Sequence, residues 1–109
     1  MTVRLYILQR LTAVIMVPLI AVHLAMIVYA TRKGLSAADI LGRTRGSIGW
    51  AATYGLFVAA AAMHGAIGVR TVAAEWGGVK GRALDGVMWA FGLLLLALGW
   101  RAVYAVVAP

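Results

Sequence analysis

Residues 48–75 read IGWAATYGLFVAAAAMHGAIGVRTVAAE, and Ile48 to Val69 is a run of 22 residues without a formal charge. About 20 apolar residues in an α-helix cross the hydrocarbon of a bilayer, so this run predicts a transmembrane helix. His64 lies well inside it, with Gly68 four residues on, Arg70 six on and Glu75 eleven on. Imidazole is costly in hydrocarbon, and an embedded histidine marks a functional position by default. Gly68, one turn away on the same face, leaves room for something flat to approach the backbone. Arg70 and Glu75 close the run where a helix meets the headgroups. The run is rich in small residues, and Ala61 and Gly65 form a small-xxx-small pair of the kind through which helices approach closely in lipid. Trp50 and Tyr54 near one end and Trp76 near the other fit an aromatic belt.

The whole chain shares this character. It has 109 residues, 64% hydrophobic and 12% charged, with a mean hydropathy of +0.96. Globular domains are about 45–50% apolar and about 25% charged, so the bilayer must supply part of the solvent. There is room for about three spans and almost nothing for a soluble domain. A site handling a polar substrate would therefore come from another polypeptide. The net charge is +7, but the basic residues flank the apolar runs and form no nucleic-acid-binding stripe. Membrane topology, anionic headgroups and acidic partner surfaces explain it. The chain has no cysteine, which removes disulfides, covalent c-type haem, iron–sulfur clusters and thiolate metal sites from its repertoire.

Upstream, the apolar run Leu5–Ala30 predicts the first span. Its ending in Val28-Tyr29-Ala30 resembles a signal-peptide cleavage site, but the run is long for that purpose and two further spans follow. Pro18 sits mid-run, cannot donate a backbone hydrogen bond, and should kink the helix and free the carbonyl of Val14. Thr31 to Ser47 is a polar, Gly-punctuated connection. Within it Ser36 and Asp39 have capping-box spacing, with Asp in place of Glu or Gln, which predicts a short interfacial helical turn. Downstream, Gly77 to Arg82 is a turn, and a third apolar run extends from near Leu84 to Val107. Arg101 interrupts this run near its end, where its side chain can snorkel to the interface. The predicted architecture is all-α: one membrane-anchor domain over residues 1–109, with three transmembrane helices (roughly 5–31, 48–75 and 84–107) in an up-down-up arrangement, forming part of a hetero-oligomeric bundle. Orientation is a tie under the positive-inside rule. Arg4, Arg10, Arg70, Lys80 and Arg82 fall on one side, and Arg32, Lys33, Arg43, Arg45 and Arg101 on the other.

His64 is the first candidate for chemistry. Neutral imidazole is a good axial ligand for haem iron. Gly68 would clear space for a porphyrin edge, and Arg70, about 9 Å along the axis, would reach a propionate. His23, the other histidine, is equally embedded in the first helix. With Arg10 and Arg70 level on one membrane face, the two histidines differ in depth by about 11 Å; with Glu75 as the boundary, by about 4 Å. The spacing leans toward two haems, each sharing its second ligand with another chain, over one haem with His23 merely packed. Gln9, Arg10 and Thr12 form a polar cluster at the start of the first span. They offer donors for a quinone carbonyl or a haem propionate, and Tyr6, one turn earlier, adds a hydroxyl. Asp39, Glu75 and Asp85 all fall at span ends or in connections, which argues against a proton-coupled small transporter. A haem-free structural anchor is the other alternative, since small-residue packing and polar helix contacts would serve it equally.

Leu8-Gln9-Arg10-Leu11-Thr12-Ala13, followed by His64-x-x-x-Gly68-x-Arg70 and an acidic residue at position 75, resembles the cytochrome b membrane-anchor subunits of succinate dehydrogenase and fumarate reductase, respiratory complex II. The resemblance covers roughly the first 70 residues. It implies that His64 is an axial ligand of haem b and that Arg10 lines a quinone site and approaches a propionate. Tyr6 and Gln9 stand where the family usually carries a serine and a histidine. His23 resembles the ligand of a second haem in anchors of the two-haem kind. The resemblance further implies a second anchor subunit, an iron–sulfur subunit and a flavoprotein subunit as partners, with substrate oxidation on the soluble subunits. The location it implies is the bacterial inner (cytoplasmic) membrane, with the N-terminus cytoplasmic.

Overall fold

The computed structural model describes residues 2–108 and contains four helices: α1 (Val3–Lys33), α2 (Ala37–Thr44), α3 (Ile48–Gly77) and α4 (Gly81–Val107). There is no strand among the described residues. α1, α3 and α4 are long and apolar enough to cross a membrane. At 1.5 Å per residue a helix of about 30 residues spans about 45 Å, and the longest dimension of the molecule is 48 Å. That matches a bilayer of about 40–45 Å including its headgroups. The helices thus extend beyond the apolar runs that mark them in the sequence: α4 begins at Gly81, three residues before Leu84.

Polar residues set the helix ends. Thr2 caps α1 by accepting from the N–H of Leu5, and Ser47 caps α3 by accepting from that of Trp50. Gly34 and Gly78 end α1 and α3 in the left-handed conformation, at φ 64° and 66°, which a side chain disfavours. Arg32 and Lys33 occupy the last turn of α1, where cations complement the helix dipole. α1 runs through Pro18 to its end.

α3 is the central element. It packs against α4 on one side and α1 on the other. Its small residues decide how closely α4 approaches. Ala60, Ala62 and Ala66 are buried, and a Cβ added at Gly92 or Gly99 of α4 would stand 3.0 Å from Ala66 Cβ or 2.5 Å from Val58 Cγ1. Close backbone approach of this kind drives association where lipid removes the hydrophobic effect between helices. Few large side chains are buried, and many lie exposed along α1 and α4, among them Leu11, Val14, Val17, Leu93, Leu94 and Leu98. In a membrane-spanning chain these faces meet lipid or neighbouring helices.

The predicted interfacial turn is a full helix, α2, with both halves of the capping box formed: Ser36 N–H donates to Asp39 Oδ2 at 2.9 Å and Asp39 N–H to Ser36 Oγ at 3.1 Å. α2 is clasped to the end of α4. The hydroxyl of Thr44, 1% exposed, donates to the carbonyl of Val106 at 2.6 Å, and Gly46 N–H donates to that of Val107 at 2.8 Å. These bonds satisfy carbonyls that a helix C-terminus leaves without intrahelical partners.

Candidate functional site

α1 and α4 flank α3 and leave two cavities between them, one toward each end of the molecule. The α3 residues that line them include Tyr54, Phe57 and Val58 in the first, and His64, Gly65, Gly68 and Val72 in the second. These positions recur at three- and four-residue spacing, so the two cavities follow one face of α3.

His64 belongs to the cavity nearer the α1 N-terminus, a groove of about 520 Å³ completed by Gln9 of α1, Phe91 of α4, and Val69 and Ala73 of α3. Its ring is anchored by Thr12, whose hydroxyl lies 3.2 Å from Nδ1. Thr12 is 3% exposed, and its Oγ1 stands 2.7 Å from the carbonyl of Leu8 and 3.0 Å from that of Gln9. With the hydroxyl proton directed to a backbone carbonyl, which can only accept, Oγ1 is free to accept from an Nδ1–H of His64. In that tautomer Nε2 carries the lone pair. A metal-binding histidine has this arrangement, its second nitrogen fixed by a hydrogen bond. Gly68 stands open on the groove wall, where an added Cβ would be 3.7 Å from the Gln9 amide nitrogen. The side-chain amide oxygen of Gln9, Oε1, is buried without a hydrogen-bond partner among the described residues. An apolar groove, small residues, a held imidazole and one spare acceptor suit a flat, largely apolar group bound through a metal.

The other polar residues of α1 separate. Arg10 is exposed, its guanidinium 5.5 Å from the centre of the exposed Tyr6 ring. Thr12 turns inward to His64, away from that pair. Arg70 bonds across the α3–α4 contact to Asp85, at 3.4–3.5 Å, and does not line the groove. Asp85 carried no signal in the sequence because its partner lies on the preceding helix, 15 residues away.

His23 lines the second cavity, of about 390 Å³, at the α2 end. Its ring meets Tyr54 and Phe57 edge-on, with centroids 6.1 and 5.4 Å away. Thr12 stands level with His64, and His23 is 11 residues farther along α1, about 16 Å. Tyr54 and Phe57 precede His64 on α3 by 10 and 7 residues, about 10–15 Å. The smaller depth difference of about 4 Å, drawn from a Glu75 boundary, is thereby overturned. The two imidazoles face different cavities and cannot share one iron.

α2 roofs the second cavity with Ile40, Arg43 and Thr44. The Arg43 guanidinium lies 4.1 Å above the centre of the Trp50 ring, which in turn stacks on Tyr54. Sequence reading placed Arg43 only in the charge tally, since nothing in its neighbours tells a loop arginine from a cavity-lining one.

Fold and sites together define a multi-pass, all-helical membrane subunit with a histidine in each of two apolar cavities. Residues 1–100 match the family described as succinate dehydrogenase/fumarate reductase transmembrane subunit, and the chain belongs to that family. No curated protein and no solved structure matches the chain.

Proposed function

We propose that this chain is a haem b-binding membrane anchor of a succinate:quinone oxidoreductase, passing electrons between an iron–sulfur subunit and membrane quinone. The observation that carries the reading is the Thr12–His64 bond, which leaves Nε2 as the ligand nitrogen in a groove of small and apolar residues. Haem b, when bound, supplies a one-electron couple whose potential the surrounding protein tunes. His64 would hold the iron through Nε2, Thr12 would orient the imidazole by accepting from Nδ1–H, and Gly68 keeps the wall free of a side chain. Arg10, whose charge has no acidic partner among the described residues, serves a propionate or a quinone oxygen at the headgroup level. Gln9 and Tyr6 are the remaining quinone contacts, with the Gln9 side-chain amide oxygen able to accept from a quinol hydroxyl. Arg70, paired with Asp85, is the weaker candidate for a propionate.

A second haem on His23 is favoured by one observation: the histidines line separate cavities stacked along one face of α3. A second anchor subunit would supply the remaining ligands, and substrate oxidation would take place on flavoprotein and iron–sulfur partners. The proposed setting is the bacterial inner membrane, N-terminus cytoplasmic.

His64→Ala in the intact complex is expected to abolish one b-type haem component in reduced-minus-oxidised spectra. An unchanged haem yield by pyridine haemochrome would refute the assignment and leave a haem-free anchor as the better description.

A further inference from the structure

Arg43 has no acidic side chain paired with it among the described residues. One of its terminal guanidinium nitrogens, Nη1, is buried and has no hydrogen-bond partner among the described residues. Asp39 stands four residues earlier on α2, the spacing at which helical ion pairs form. That pair is not formed among the described residues: the Asp39 carboxylate accepts from the Ser36 N–H through Oδ2. The other two acids, Glu75 and Asp85, lie at the opposite end of the molecule. Arg43 is nevertheless held firmly in place: Trp50 lies beneath its guanidinium, and Thr44, the next residue, ties α2 to the end of α4. Below it the cavity is lined almost wholly by apolar side chains, including Met26, Val58 and Val106, with His23 on the α1 wall.

We infer that Arg43 is the anion-binding residue of this cavity and pairs with a propionate of the group ligated by His23. The inference rests on the two-haem reading and adds to it a residue outside the family-like motifs. An amphiphile with an apolar body and a carboxylate at one end matches a cavity of apolar walls roofed by one guanidinium. Such a carboxylate supplies what Asp39 does not, because guanidinium–carboxylate pairs are the strong, geometrically matched hydrogen bonds of membrane-boundary sites. His23 favours a haem over a phospholipid as the source of the anion: its imidazole is held by ring edges alone and faces the same cavity.

The test is a redox titration of the intact complex carrying Arg43→Gln, with Arg45→Gln as a neighbouring control and total haem and phospholipid phosphorus measured on each preparation. Loss of a positive charge beside one haem favours its oxidised form, so Arg43→Gln is expected to shift one of two components to lower potential and leave the other in place. Arg45→Gln should match the wild type. Trp50→Leu keeps the charge but removes its platform. It should shift the same component less, and it supplies the readout if Arg43→Gln does not assemble. Two haems with unchanged potentials in both cavity variants would overturn the Arg43 assignment alone. A wild-type complex with one haem, undiminished by His23→Ala, would overturn the two-haem reading and the propionate with it. Loss of bound phospholipid from Arg43→Gln with unaltered haem titration would assign the guanidinium to a lipid phosphate and likewise overturn the proposal.

Discussion

The Thr12 hydroxyl and Nδ1 of His64 stand 3.2 Å apart across the contact between α1 and α3. Two backbone carbonyls lie within reach of the hydroxyl proton, so the contact fixes the position of the imidazole and leaves Oγ1 able to accept from it. It also joins α1 to α3, which meet farther along through the edge-on contacts of His23 with Tyr54 and Phe57.

Thr12→Val keeps the shape and removes the acceptor, so His64 loses the group that orients it. Outer-shell partners of metal-binding histidines typically contribute about 10–100-fold in affinity, and a weakening of haem retention on that order is expected. Thr12→Ser should retain wild-type haem content and spectrum. Equal haem dissociation rates in Thr12→Val and wild type would show that the bond does not position a ligand.

Packing of α4 depends on Gly99, where an added Cβ would meet both methyl groups of Val58 at 2.5 and 3.0 Å. Gly99→Ala is expected to destabilise by about 1–3 kcal/mol, the usual cost of overpacking. Thermal unfolding in detergent measures it. The double variant Gly99→Ala, Val58→Ala should recover part of the loss, and an additive double variant would place the cost elsewhere.

The Arg70–Asp85 pair is a weak contact despite its place at the α3–α4 junction. Its shortest distance is 3.4 Å, and the Asp85 side chain is 60% exposed. Exposed pairs contribute about 0–1 kcal/mol, so Asp85→Asn should lower Tm only slightly, and less at high salt. A large Tm loss that persists in high salt would mean that Arg70 is committed to Asp85 for packing.

Asp39 gives α2 an acid limit. The hydrogen bond from the Ser36 backbone, with a further contribution from the Ser36 side chain, holds its carboxyl below the ordinary value of 3.8. A carboxyl depressed on folding favours the folded state at every pH above its unfolded value. That contribution fades as pH falls through the lower folded value. The protection factor of the Ser36 amide, its exchange relative to the intrinsic rate at the same pH, should therefore fall only in the acid range below 3.8, and Asp39→Asn should remove this dependence. Protection at Ser36 that is unchanged through that range would mean that the capping box does not order the residue.

Much of the architecture was legible in one dimension. Three apolar runs longer than a bilayer core, separated by Gly-rich polar connections, leave backbone hydrogen bonding no solution in lipid except helices. The embedded His23 and His64 announce themselves because polar groups are rare and costly there. The capping box at Ser36 and Asp39 was visible as a spacing, though not the full helix that it begins. Pairings across the bundle were not legible. Gln9, Arg10 and Thr12 read as one polar cluster, yet helical rotation sends Thr12 inward to His64 and leaves Arg10 beside Tyr6. Arg70 read as a free cation until α4 brought Asp85 against it.

The sequence by itself thus determined that the chain crosses a membrane as three helices with two costly imidazoles inside, because hydrocarbon penalises every unsatisfied polar group. Only the tertiary structure decided which nitrogen of His64 meets Thr12, that His23 faces a different cavity, and that Arg43 roofs that cavity. Each of these depends on the rotation and depth at which separate helices meet. Close packing of residues distant in the chain sets both.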